Sequence, residues 1–118
     1  MTVIISTVYR PPYPRQSSLW RSDGTRTLFS VYIVSNASMT LYTGVTNDLR
    51  RRAFQHKTGT GAEFTSRYHF DRLVYFESYD LIVDAITREK SIKGMNRSRK
   101  IAMIKALNPT WRDLSDDL

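Results

Sequence analysis

The sequence contains no cysteine, which removes disulfides, thiolate nucleophiles and cysteine-based zinc sites together. It has only two histidines, too few for a metal site built mainly on imidazoles, so any bound cation has to rest on carboxylate and water. No stretch approaches the roughly 18 consecutive apolar residues of a membrane span. A secretory leader is not expected either, because the apolar run Val3-Ile4-Ile5 is too short to serve as its core. A cytoplasmic protein with no membrane role is the expectation. Acidic residues are in deficit, 11 against 18 Lys and Arg, which leaves a formal charge of +7. Such an excess suits a polyanionic partner, since clustered Lys and Arg pair with phosphates and release their counterions. P-loop, GxSxG and HExxH patterns are missing as well, and the TGTG of residues 58–61 lacks the P-loop lysine.

What is present fits one globular unit. A chain of 118 residues, 41% apolar and 25% charged, can build a single core but not two ordinary ones. Residues 10–27 carry three prolines, four arginines and little apolar periodicity, so residues 1–27 are read as a flexible extension. The folded domain is expected over 28–118. It opens on LFSVYIVS and, after the turn-forming NASM, LYTGV, a β-hairpin rich in β-branched and aromatic residues. Asn47 or Asp48 caps a helix reaching about Lys57, and RLVYFESY at 72–79 reads as a third strand. Asp80 is placed to cap a second helix, LIVDAITREKSIK, which Gly94 ends. RSRKIAMIKAL at 97–107 forms a third helix, closed by Asn108-Pro109. The order β-β-α-β-α-α predicts an α+β fold in which a small three-stranded antiparallel sheet is flanked by helices.

Projection at about 100° per residue singles out several side chains. In the second helix Leu81, Ile82, Ala85, Ile86 and Ile92 share an arc, and Glu89 falls inside it. A carboxylate on a core-facing arc needs a partner; a structural ion pair with a nearby arginine and a metal-ligating or basic role fit the spacing equally. In the first helix Leu49 and Ala53 mark the inward stripe, Arg52 and His56 lie beside it, and Arg50 and Arg51 face solvent. Between Arg88 and Lys105 seven basic residues stand against one acid. Arg88, Lys93, Arg97, Arg99 and Lys100 are the candidate nucleic-acid-binding residues there, although a solvated face would read the same way. Without interleaved aromatics, that surface gives no support for sequence specificity.

Residues 29–118 resemble the GIY-YIG nuclease superfamily, in particular its short stand-alone bacterial members. The first motif stands as Ser30-Val31-Tyr32 and the second as Tyr42-Thr43-Gly44. The helical arginine falls on Arg52, ten residues after Tyr42, the histidine of the stand-alone members on His56, and the metal-binding glutamate on Glu89. NPTWRDL also looks like the end of these small proteins. Ser30-Val31 replaces the Gly-Ile of the first motif, and Val45 stands where repair-type members carry lysine, which argues against excision repair.

The resemblance implies a Mg²⁺- or Mn²⁺-dependent endonuclease acting on DNA phosphodiester bonds. Its catalytic set would be Tyr32, Tyr42, Arg52, His56 and Glu89, with Glu89 as metal ligand, Tyr42 as or beside the general base, and Arg52 as phosphate clamp. Tyr32 would position water or phosphate, and His56 would be an auxiliary proton-transfer group. A non-catalytic nucleic-acid-binding module with the same fold is the alternative, and a protein-interaction domain contacting an acidic partner is a third. No protein partner is inferable from the residues.

Overall fold

A computed structural model describes Val3–Ile4 and residues 28–59 and 70–118. Four strands form one sheet: β1 (Val3–Ile4), β2 (Phe29–Ser35), β3 (Leu41–Thr46) and β4 (Arg72–Tyr79), in the spatial order β1-β4-β2-β3. Three helices accompany them: α1 (Leu49–Thr58), α2 (Ile82–Lys93) and α3 (Arg97–Leu107). A 3-10 turn at Leu114–Asp117 follows. The antiparallel trio β3-β2-β4 and the order β-β-α-β-α-α are those expected from the sequence. The two-residue β1, parallel to β4 at Val3↔Glu77 and Ile4↔Ser78, was not. Apart from it, the extension expected over residues 1–27 lies outside the described residues, as do Thr60 and Gly61 of the TGTG stretch.

Alternation along β2 divides the core between two faces of the sheet. Val31 and Ile33 pack with Ala85 and Ile92 of α2, Ile104 of α3 and Trp111. Tyr32 and Val34 turn the other way, toward Phe70, Leu73, Phe76 and Leu114, with Leu49 of α1 packed alongside. The central strand is buried on both sides because helices cover both.

β4 carries a bulge. Ile33 pairs with Tyr75 and Val34 with Leu73, so Val74 is the extra residue. A bulge frees backbone groups in mid-sheet that must find partners, and the C-terminal segment supplies them. The buried Asn108 side chain donates to the Val74 carbonyl at 3.1 Å, and Asp113 accepts from the Leu73 N–H at 3.1 Å. Lys57 Nζ lies 2.5 Å from Asp113 and ties the same segment to α1.

The helices stop and start largely where the sequence places them. Asp48 caps α1 by accepting from the Arg51 N–H, and Gly59 ends it in the left-handed region at φ 74°. Asn96 caps α3 through the Arg99 N–H, at 2.9 Å. α2 differs: its N-cap is Leu81, which makes no side-chain cap bond, and Asp80 does not take that position.

Candidate active site

The buried stripe of α2 is narrower than the projected arc. Ala85 and Ile92 are fully buried, whereas Ile82, Val83 and Ile86 are exposed. Two residues flank this stripe and point to different tasks. Arg88 turns down onto the sheet and meets Glu77 of β4 with Nε 3.0 Å from Oε1 and Nη2 3.0 Å from Oε2. Glu77 has no solvent exposure and also accepts from the hydroxyls of Tyr75 and of Tyr79, the latter at 2.7 Å. Burial works to raise the Glu77 pKa, but hydrogen bonds from Arg88, Tyr75 and Tyr79 outweigh it and hold the carboxyl below its usual range. Burial and the Glu77 charge push both tyrosine hydroxyls upward.

Arg88 is therefore corrected from a phosphate-facing cation to one half of an interior ion pair. The carboxylate–arginine pair considered for Glu89 exists, but around Glu77. Sequence reasoning missed that acid, although Tyr75, Glu77 and Tyr79 at spacing of two share a strand face. Glu89 itself is half-buried at the other flank of the stripe, with Lys93 Nζ 3.2 Å from its Oε2.

On the opposite face of the sheet, α1 brings Arg52 and His56 over the two strand tyrosines. Tyr32 and His56 are each 1% exposed, and the Tyr32 hydroxyl is 2.9 Å from His56 Nε2. Arg52 Nε donates to the same hydroxyl at 3.2 Å, while its Nη1 donates to Gln55 at 3.0 Å. The Tyr32 oxygen accepts from Arg52 and keeps a second lone pair beside its own proton, so which of Tyr32 and His56 Nε2 donates is set by the imidazole tautomer; the buried Nδ1 has no hydrogen-bond partner among the described residues. Tyr42 completes the group, its ring centroid 6.4 Å from that of Tyr32 and 5.4 Å from that of His56. Phe70 closes the back of the cluster, 5.8 Å from Tyr42 and edge-on to His56 at 6.0 Å; nothing in the sequence signals it.

Electrostatics sorts these groups. Burial pushes the Tyr32 hydroxyl up to about 12 against the pull of Arg52, and the Glu89 charge adds to the rise, so Glu89 sits within electrostatic reach of Tyr32. Burial and the Arg52 charge lower His56 to about 4, which leaves it neutral near pH 7. Burial opposes the charge on Arg52, but hydrogen bonds and attraction from Tyr32 and Tyr42 prevail and raise its pKa.

Gly44 makes the cluster possible. It pairs with Tyr32 across the hairpin, and a Cβ built on it would lie 2.5 Å from the Tyr32 hydroxyl oxygen and 2.7 Å from its Cζ. The Tyr32 ring lies over bare backbone, so the glycine supplies space for it.

Four of the side chains singled out by the resemblance, Tyr32, Tyr42, Arg52 and His56, thus cluster on one face of the sheet, and Glu89 of α2 is linked to them through its charge on Tyr32. The GIY-YIG catalytic domain matches residues 28–102. The chain belongs to the GIY-YIG family. A UPF0213 protein of Haloquadratum walsbyi is 41% identical to it over 70 residues, 59% of this chain and 79% of that protein. A UPF0213 protein of Staphylococcus saprophyticus is 36% identical over 74 residues, covering 63% and 90% of the two chains. The solution NMR structure of a UPF0213 protein from Bacillus halodurans aligns with a TM-score of 0.49 at 27% identity, over 73% of this chain and 92% of that one. Membership of the GIY-YIG family implies a nuclease-type function. Among the described residues no helix is long and apolar enough to cross a membrane.

Proposed function

We propose that this GIY-YIG protein is a divalent-metal-dependent endonuclease that hydrolyses DNA phosphodiester bonds. The observation that carries the proposal is the hydrogen-bonded chain from Arg52 through Tyr32 to His56, with Tyr42 against it and the Glu89 charge within reach.

A Mg²⁺ or Mn²⁺ ion fits these residues through one carboxylate. Among the described residues there is no group of three or more His, Cys, Asp or Glu that could hold a metal, but Mg²⁺ is commonly bound by one or two carboxylates, waters and substrate phosphate. Glu89 is the acid whose charge is felt at Tyr32, and its partner Lys93 is about half exposed on a flexible stem that can swing away. When bound, the ion would offset negative charge developing on the phosphate and leaving oxygen.

The remaining work falls to the chain's own groups. Tyr42, half-buried where Tyr32 is sealed, is the tyrosine able to meet water and to act as, or assist, the general base. Tyr32 keeps its proton at neutral pH, because burial places its pKa at about 12. Its role is to anchor Arg52 rather than to touch water. Arg52 is the fixed cation able to clamp a phosphate oxygen, and preorganised donors of this kind are worth about 10²–10³ in rate. His56 stays neutral and shares a hydrogen bond with the Tyr32 hydroxyl.

The test is cleavage of supercoiled plasmid and of branched or single-stranded DNA by purified protein, with and without Mg²⁺, beside Glu89→Ala. Cutting that needs both the metal and Glu89 supports the proposal. Salt-sensitive binding with no cleavage in any metal makes the protein a non-catalytic nucleic-acid-binding module instead. Neither binding nor cleavage points to a protein-interaction domain.

A further inference from the structure

A cleft of about 320 Å³ opens between the β2–β3 turn and the first turn of α3, lined by Ser38, Met39, Thr40, Leu41, Arg97 and Lys100. We propose that this cleft binds a backbone phosphate of the DNA strand, flanking the phosphate that is cut; the proposal rests on the endonuclease reading.

Its chemistry is one-sided. Residues 36–47 and 90–112, which build both walls and their surroundings, contain no Asp or Glu. Arg97, Arg99 and Lys100 have no carboxylate partner among the described residues, whereas Arg51, Lys57, Arg88, Lys93 and Arg112 each have one. Three like charges within four residues repel one another, a cost that an incoming anion relieves. Arg97 is also held in place: its Nη2 donates to the Met39 carbonyl at 2.5 Å, tying the guanidinium to the turn. Met39 adopts φ 63°, a left-handed conformation uncommon for a non-glycine residue, and thereby forms the lip of the cleft. The hydroxyl-bearing residues Ser38 and Thr40 line the same wall. With water occupying about 30 Å³ in the liquid, the volume accommodates a phosphate together with part of its hydration.

The position suits a strand already held at the candidate active site. Leu41 lines the cleft from one face of the edge strand β3, and Tyr42, the next residue, turns to the other face and belongs to the catalytic cluster. On the helical side α2 runs from Glu89 to Lys93 and passes through Gly94–Asn96 directly into Arg97. Both routes from the cleft to the site are a few residues long and meet at the edge of β3, so a DNA backbone following that edge would reach both with one strand.

The experiment measures binding of a fluorescently labelled DNA duplex to the full chain in EDTA, across about 50–200 mM salt. The variants are Arg97→Gln/Lys100→Gln, which removes both charges and keeps amide donors for the Met39 carbonyl, and Lys105→Ala as a control cation on the same helix. The double variant is expected to lower the slope of log affinity against log salt by about 0.9 for each phosphate it no longer neutralises, with circular dichroism unchanged, while the slope of Lys105→Ala falls by less than half as much. A double variant that keeps the parental slope, or a control whose slope falls as far, overturns the inference. If the parent cuts plasmid but the slope persists, only the cleft falls. If the slope depends on the cleft but nothing is cut, the endonuclease reading falls and with it the placement beside a cut phosphate, and the cleft stands as a DNA-phosphate site of a non-catalytic binding module.

Discussion

Adding one methyl group at Gly44 should disable the candidate site, while the same change at Gly94 should not. At Gly44 the new Cβ would stand 2.5 Å from the Tyr32 hydroxyl and 2.7 Å from Cζ, far inside van der Waals contact. A clash with the far end of a side chain is cheap only if that end can move. Here the hydroxyl is sealed from solvent and held by both His56 and Arg52, so relief means breaking one or both bonds or shifting β3. Overpacking of this kind costs about 1–3 kcal/mol, which in a domain near 100 residues lowers Tm by about 5–20 °C. At Gly94 the nearest atoms to a new Cβ are the Lys90 and Ser91 carbonyl oxygens at 3.6 Å, an ordinary contact, and its φ of −78° suits alanine. Gly94→Ala should therefore be neutral or stabilising by about 0.4–1 kcal/mol through the unfolded chain. Paired thermal melts and plasmid-nicking rates provide the check. Gly44→Ala with parental Tm and parental nicking would show that Tyr32 does not depend on the bare backbone beneath it, and the geometry derived for the site would be wrong.

Four further outcomes are expected. Glu89→Ala should cut DNA at least about 10²-fold more slowly in Mg²⁺ with only a small change in Tm, since the Lys93 end of its ion pair is half exposed and screened by solvent, and such pairs contribute about 1 kcal/mol or less. Arg52→Lys should lose most of the cleavage rate while still binding duplex, because an ammonium has no planar fork with which to reach Tyr32, Gln55 and a phosphate together. The stability contributed by neutral His56 should be complete above about pH 6.5 and be lost as pH falls toward its folded pKa of about 4, at up to about 1.4 kcal/mol per pH unit; urea unfolding from pH 7.5 to 4.5 should show this slope in the parent and not in His56→Gln. Removing Arg88 leaves the Glu77 carboxylate buried with only tyrosine donors, so Arg88→Ala should cost about 3–5 kcal/mol in denaturant unfolding.

The strands and helices were legible because their signals are local. Alternating β-branched and aromatic residues, Asp48 as a cap, Gly94 as a stop and Asn108 at the end of α3 are read within a few residues, and each stands where expected. The α2 arc was misjudged for a reason that is not local. Helical projection finds which residues share a face but not how wide a strip the sheet covers, and here the sheet takes Ala85 and Ile92 and leaves Ile82 and Ile86 outside. Arg88 shows the same limit, because a basic residue in a basic run reads as surface until the acid that claims it, eleven residues earlier on β4, is brought beneath it. The candidate site itself was legible only through the spacing of its motif residues; no local pattern distinguishes Tyr32, sealed and hydrogen-bonded, from Tyr42, half open.

The family match ends at residue 102, but the sheet is completed beyond it. Asn108 and Asp113 occupy the backbone groups that the Val74 bulge leaves open, and Ile104, Trp111 and Leu114 fill both cores. A fragment trimmed at the family boundary would thus be injured at the middle of β4, the strand that carries Glu77 and, through Arg88, sets the rotation of the helix bearing Glu89. The segment after residue 102 acts as a keystone inserted from the side, and the smallest piece of this protein that folds with the candidate site intact should be one that keeps it.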